Sequence, residues 1–262
     1  PDAPAVAHPQ LDRTSIAVTH AQPVLVIGGT RGTGLLIARR LKERGSAVRI
    51  LARDPVRATT ILGSDFEIVA GDITKEATLP AALRGVNDII FTAGRRSGRP
   101  VLERHIRATE FYGVVNTLAA ARHVGFAGRF LYMTASGVTS RSFWSFSLNV
   151  YKGNTLVWRR RAEDEIRASD VGYTIIRAAW LSNAEGGRHA IDVTQHPLPL
   201  SPRYRIARAD VADVFVAALD HPRAVRATFE IAWGSGKRRP LAETLDNLVA
   251  DASRGGASNA VQ

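Results

Sequence analysis

The stretch Val24-Leu25-Val26-Ile27-Gly28-Gly29-Thr30-Arg31-Gly32-Thr33-Gly34 decides how the chain is read. Four consecutive apolar residues are the pattern of a strand buried on both faces. The glycines follow at once, spaced Gly28-x-x-x-Gly32-x-Gly34. Leu35, Leu36, Ala38 and Leu41 then recur at helical spacing, and Gly45 stands where a C-terminal cap belongs. A strand, a glycine turn and a helix in that order form an anion cradle. Gly28 permits the tight turn, Gly32 lets the backbone approach a diphosphate, and Gly34 lets the helix lie close to the strand. The helix N-terminus offers free N–H groups and the positive end of its dipole. Thr30, Arg31 and Thr33 fill the turn and are expected to contact the same ligand.

Around this unit, strands and helices alternate. Ala47–Leu51 reads as a strand, Pro55 opens a short helix through about Leu62, and Phe66–Ala70 is a third strand. A helix is expected over Glu76–Arg84, a strand over Asp88–Thr92, and a long helical stretch from Val101 to Val124 interrupted at Gly113. Arg129–Thr134 is a fifth strand. A loop, Ala135–Val150, carries Phe143, Trp144 and Phe146, and a helix follows from about Tyr151 to Ser169. Tyr173–Arg177 and Thr228–Ala232 read as strands, Asp210–Leu219 and Leu241–Val249 as helices. Short apolar strands alternating with helices predict the α/β class, a doubly wound parallel sheet covered on both faces. The expected organisation is one domain over 23–252, with flexible tails at 1–22 and 253–262. A small irregular cap is expected around 182–205, a segment rich in Pro, Gly and His.

Composition narrows the chemistry. The 262 residues include no Cys, which excludes a disulfide scaffold, a thiolate metal site and a Cys nucleophile. The seven His residues show no ligand spacing with carboxylates, so no metal site is expected. No Gly-x-Ser-x-Gly elbow is present, which argues against a hydrolase. No apolar run approaches the roughly 18 residues of a membrane span. The Ala/Pro-rich stretch 1–22 lacks the apolar core of an intact signal peptide and leaves localisation open, with cytoplasmic the default for a protein using the free NADP pool. Lys plus Arg number 35 against 24 Asp plus Glu, a net charge of +11. The basic residues are scattered and no helix-turn-helix or RNP-type motif accompanies them, so phosphorylated cofactors fit this charge better than nucleic acid.

A site for NAD(H) carries an Asp or Glu about 20 residues beyond the glycine turn to hold the ribose hydroxyls. Here Arg53 takes that place, and Arg31 lies inside the turn. Two guanidiniums converging there would bind a 2′-phosphate, which favours NADP(H) over NAD(H). Asp54, one residue further on, is the competing acceptor.

Val24–Gly34, Leu51-Ala52-Arg53-Asp54-Pro55, Gly71-Asp72-Ile73-Thr74, Thr134-Ala135-Ser136, Arg161-Ala162-Glu163-Asp164-Glu165 and Tyr173-Thr174-Ile175-Ile176-Arg177 together carry a family likeness. Over roughly residues 23–250 the chain resembles the short-chain dehydrogenase/reductase superfamily, more closely its atypical NmrA-like, NAD(P)H-binding branch. The resemblance implies a Rossmann sheet. It also implies that Asp72 and Ile73 lie against the adenine, and that Thr92, Ala93 and Gly94 line the ribose and pyrophosphate. Thr134, Ala135 and Ser136 would stand beside the nicotinamide, and Ala178, Ala179 and Trp180 at its carboxamide end.

In the better-known branch of that superfamily, a Ser works with Tyr-x-x-x-Lys on one helix. Ser136 is the match to the serine. Alignment on Ala162-Glu163-Asp164 places Arg159 at the lysine and Thr155 at the tyrosine, so the dyad is missing. Arg159 keeps a charge that can hold the nicotinamide ribose but cannot act as acid or base near neutral pH. Tyr151 stands one turn back, next to Lys152. Neighbours on a helix point apart, so the two are not a relocated dyad by spacing. The candidate catalytic residues are Ser136, Tyr151 and Arg159. Phe143, Trp144 and Phe146, with Trp158, Trp180 and Met133 behind them, are the expected wall of a pocket for a hydrophobic or planar substrate. Two functions fit: an NADP(H)-dependent reductase of a quinone, flavin or carbonyl, or a catalytically inactive NADP(H)-binding redox sensor acting through a protein partner.

Overall fold

The first strand, β1 (Val24–Ile27), is buried at every residue and lies inside an eight-stranded sheet. The structure is a computed structural model that describes residues 22–95, 102–140 and 142–251. The expected tails, save Gln22, lie outside these residues. In chain order β1 is followed by α1 (Gly32–Glu43), β2 (Val48–Ala52), α2 (Pro55–Leu62), β3 (Glu67–Ala70), α3 (Pro80–Leu83) and β4 (Asp88–Phe91). Next come α4 (Glu103–Arg107), α5 (Gly113–His123), β5 (Arg129–Ala135), α6 (Phe143–Tyr151), α7 (Thr155–Ala168), β6 (Gly172–Ala178) and β7 (Trp180–Ser182). The chain closes with β8 (Ala190–Thr194), β9 (Arg205–Ala207), α8 (Arg208–Asp220), β10 (Ala227–Gly234) and α9 (Leu241–Leu245).

The sheet order is β3-β2-β1-β4-β5-β6-β10-β8. Every neighbouring pair is parallel except β10 with β8. The order reverses between β1 and β4, and ligands of open α/β sheets bind outside the strand ends at such a switch point. Alternate side chains feed two cores. Val26, Ile50, Ile90, Leu131 and Ile176 pack on the layer holding Ile37 and Phe215. Leu25, Ile27, Phe91, Phe130 and Ile175 face the layer holding Val114 and Ile166. This double burial is why the strands read as unbroken apolar runs rather than as alternating ones. The expected doubly wound α/β fold is the one formed.

Several local expectations need correction. The helix expected at Glu76–Arg84 is a 3-10 turn, Glu76–Thr78, followed by α3, because Pro80 has no N–H to continue the ladder and starts a new helix instead. The long helical stretch is not broken at Gly113. It widens into a π turn over Ala108–Tyr112, and Gly113 is small because a Cβ there would lie 2.7 Å from Ile73 Cδ1. The aromatic segment is not a loop. Ser142 caps it, its Oγ accepting the Ser145 N–H at 3.0 Å, and Phe143 begins α6. The helix expected from Tyr151 to Ser169 is therefore two helices, separated at Gly153 and Asn154, which both take positive φ (55° and 59°). The cap around 182–205 is more regular than its composition suggests. It contributes β8 as an antiparallel edge strand, and β9 pairs with β7 in a separate two-stranded sheet.

Candidate functional site at the ends of the central strands

The glycine turn packs against the end of β4. Gly28 has φ 89°, and a Cβ there would lie 2.8 Å from the Ala93 nitrogen and 2.9 Å from Thr92 Oγ1. A Cβ on Gly34 would run into the Gly28 carbonyl and the Thr92 hydroxyl. Thr92 in turn donates its hydroxyl to the Ile27 carbonyl at 3.0 Å, which locks β4 to the turn. Arg31 is the extended N-cap of α1 and makes no side-chain cap, and the first turn contains no acidic residue. No side chain caps the N–H groups of that turn, and the Thr33 hydroxyl is buried without a hydrogen-bond partner. These features fit a bound diphosphate. Gly28, Thr30, Arg31, Gly32, Thr33, Gly34, Thr92, Ala93 and Gly94 are thus brought together as expected.

On the other flank of β1, Arg53 follows β2 and is exposed. Asp54 is already used: its Oδ1 accepts the Arg57 N–H at 3.0 Å and caps α2. Arg31 donates from Nη2 to the Gly94 carbonyl at 3.0 Å, toward β4. Arg31 thus reaches toward β4, while Arg53 follows β2 on the opposite side of β1. Asp72 folds back on its own turn, with Oδ1 accepting the Thr74 N–H and hydroxyl, both at 2.9 Å. Ile73 is buried, and its carbonyl accepts the Asn116 amide at 2.9 Å.

The centre of the β4 side is Glu110, on the π turn and 1% exposed. Its Oε2 accepts from Arg159 Nε at 3.0 Å and from the Thr155 hydroxyl. Its Oε1 accepts the Arg95 N–H at 3.2 Å and meets Lys152 Nζ at 3.4 Å. Burial alone would raise the Glu110 pKa, but Arg159 and Lys152 outweigh it and hold the carboxyl at about 2. Burial, Arg159 and Arg31 lower the Lys152 pKa against the pull of Glu110. Arg159 stays charged, its pKa raised by Glu110 against the cost of burial. A π turn at such a place is a common mark of function.

The sequence reading missed Glu110 and set Lys152 aside. Two signals were present. Glu110 stands among the buried positions Ile106, Gly113, Val114 and Thr117 of a helical face. Lys152, Thr155 and Arg159 stand at i, i+3 and i+7, the spacing of one face.

The other candidates divide. Thr134, Ala178 and Ala179 are buried at the strand ends with Ala135 beside them, and Trp180 follows half exposed. Ser136 is wholly enclosed, its N–H donating to the Ala178 carbonyl at 2.9 Å. It lies beside Glu230, whose pKa burial raises. Tyr151 ends α6 at 51% exposure. The Glu110 contacts are made by Lys152, Thr155, Arg95 and Arg159, not by Ser136 or Tyr151. Trp144 meets Trp180 edge-on at 6.3 Å, joining α6 to the end of β6. Phe143 and Phe146 face outward, 74% and 69% exposed. Trp158 is not part of this wall. It is buried against Phe111 and donates to Glu103 at 2.9 Å. Met133 packs into the opposite core. Among the described residues no group of three or more His, Asp or Glu is placed to hold a metal ion, and no helix is long and apolar enough to cross a membrane.

A glycine turn at the switch point of a 3-2-1-4-5-6 sheet defines a dinucleotide-binding Rossmann protein. The chain belongs to the NAD(P)H-binding family, whose model matches residues 28–222. It is 31% identical over 244 residues to sanguinarine reductase of Eschscholzia californica, covering 79% of this chain and 88% of that protein. Its fold matches that of a Bacillus halodurans protein described as an NAD-dependent epimerase/dehydratase, with TM-score 0.73, 24% identity, and coverage of 87% of this chain and 100% of that one. It also matches a Veillonella parvula short-chain dehydrogenase/reductase solved in complex with NADP, with TM-score 0.65, 12% identity, and coverage of 84% and 98%.

Proposed function

We propose that the protein is an NADPH-dependent reductase of a hydrophobic or planar small molecule such as a quinone, flavin or carbonyl compound, working without a Tyr-x-x-x-Lys pair. The observation that carries this reading is the Glu110–Lys152–Arg159 cluster at the end of β4, in the groove whose other wall is the glycine turn. A site for binding alone needs the turn. The turn and Arg159 serve binding; Lys152, a cation beside them that can give up a proton, is what a reductase adds.

In this reading the N–H groups of Gly32, Thr33 and Gly34 hold the diphosphate, and Asp72 and Ile73 border the adenine. Arg53 meets the 2′-phosphate. The preference for NADP(H) over NAD(H) then rests on Arg53 and on Asp54 being engaged as a cap. Arg159, fixed by Glu110, holds the nicotinamide ribose. Thr134, Ala135, Ala178, Ala179 and Trp180 border the nicotinamide end, and Trp144 with Phe143 and Phe146 presents apolar surface to the substrate. The cofactor supplies the hydride, while the chain holds donor and acceptor at reacting distance and excludes water from between them. The relation to sanguinarine reductase supports a reductase. The test is NADPH consumption with a panel of quinones, flavins and aldehydes. Turnover with at least one aromatic acceptor is expected, and tight NADPH binding without turnover on any of them would contradict the reading.

A further inference from the structure

Lys152 sits at an unusual junction. It follows α6, and the next two residues, Gly153 and Asn154, both take left-handed φ values of 55° and 59°. A non-glycine residue rarely adopts that conformation, and such residues concentrate at functional sites. The turn is held from both sides: the Asn154 N–H donates to the Asn149 carbonyl at 2.8 Å, and Asn149 Oδ1 accepts the Leu156 N–H at 2.9 Å. It sets Lys152 beside Glu110 together with Thr155 and Arg159 of the next helix. The lysine side chain keeps 14% of its surface exposed, so it is sheltered but not sealed.

Four groups meet here, and three cannot give up a proton at neutral pH. Glu110 is ionised, with its carboxyl at about 2. Arg159 does not deprotonate. The Thr155 hydroxyl is a very weak acid and is already spent on Glu110. Lys152 is an ammonium with three N–H donors, and its contact with Glu110 uses one of them. Resting on the reductase reading above, we propose that Lys152 is the catalytic proton donor for acceptors that need a proton with their hydride. As the substrate carbon takes the hydride from NADPH, the Lys152 N–H bond breaks and the new O–H bond forms on the substrate oxygen. The neutral amine then takes a proton from water. Every element packed around the lysine brings a charge: Glu110 from the π turn favours the ammonium, while Arg159 of α7 and Arg31 of the glycine turn oppose it. Arg95 follows β4 and adds its N–H to Glu110, and Tyr151 precedes the lysine on its own helix.

The test compares two acceptors with NADPH: phenanthrenequinone, which needs a proton with the hydride, and N-methylacridinium, which takes hydride alone. Lys152→Arg keeps the charge beside Glu110 and removes the donor. We expect it to lower kcat for the quinone about 100-fold, and to leave the acridinium rate and the NADPH Kd within about threefold. Lys152→Met should lower kcat for the quinone to the same extent. In the wild type the quinone rate should fall as pH rises through the lysine pKa, at a pH below the ordinary 10.5, and the acridinium rate should not follow. Equal slowing of both acceptors, or of neither, would overturn the proposal. A wild-type protein inert toward both would overturn the reductase reading, and this role with it.

Discussion

Glu110 and Glu163 are both enclosed, and each is held by two cations. Around Glu163 carboxylates outnumber the cations. Arg177 approaches at 2.6 Å and Arg167 at 2.8 Å, and the same two arginines reach Glu230 at 3.5 Å and Asp251 at 3.6 Å. Arg167, Arg177, Glu230 and Asp251 line a cleft of about 430 Å³, where they pair with one another or with Glu163. Around Glu110, one carboxylate serves Lys152 and Arg159, with Arg31 across the groove. These cations lie outside the end of β4, where the strand order reverses. Arginines shared among several carboxylates between a helix and a sheet are a structural element. Cations gathered at the switch point suit an anionic ligand.

The contrast breaks first at Glu163. Glu163→Gln leaves two arginines facing a neutral group inside the protein, and should lower unfolding stability by about 3–5 kcal/mol in urea titrations, with an unchanged NADPH Kd in the folded fraction. A weakened Kd at full stability would reverse the two assignments. Glu110→Gln should cost about 3 kcal/mol at neutral pH, the free energy of holding the carboxyl at about 2 rather than 4.5. The sign is that of a depressed acid. Its contribution is complete above pH 4.5 and is lost as pH falls toward 2, so wild type and variant should converge in acid. A gap that stays constant across that range would show that the carboxylate charge is not what matters.

Smaller effects sharpen the groove side. Arg159→Met should raise the NADPH Kd about tenfold, a loss of about 1.4 kcal/mol, measured by fluorescence titration. Arg53→Ala should weaken NADPH about fivefold and leave NADH unchanged, as expected for one exposed charge-assisted contact to phosphate. Equal losses for both coenzymes would remove the role given to Arg53.

The parts legible in the sequence were local. The strand, the glycine turn and the helix of 24–43 are adjacent in the chain, and their spacing alone carries the geometry. The illegible parts were set by distant contacts. Glu110 is an ordinary helix residue until Lys152, Thr155 and Arg159 arrive from 42, 45 and 49 residues away. Strand β8 lies in a segment whose Pro, Gly and His content hides it, and becomes a strand by pairing with β10. The start of α6 was legible in principle, since Ser142 is a capping residue, but its run of aromatic residues suggested a loop over the substrate. Arg31 shows the converse case: its place in the turn was readable, and its direction, toward Gly94, was not.

The most direct measurement is a thermal-shift titration of the protein with NADPH and with NADH. The groove described here predicts a Tm that rises with NADPH concentration, and rises less at equal concentrations of NADH. A Tm that neither coenzyme moves at millimolar concentration would contradict the account at its root.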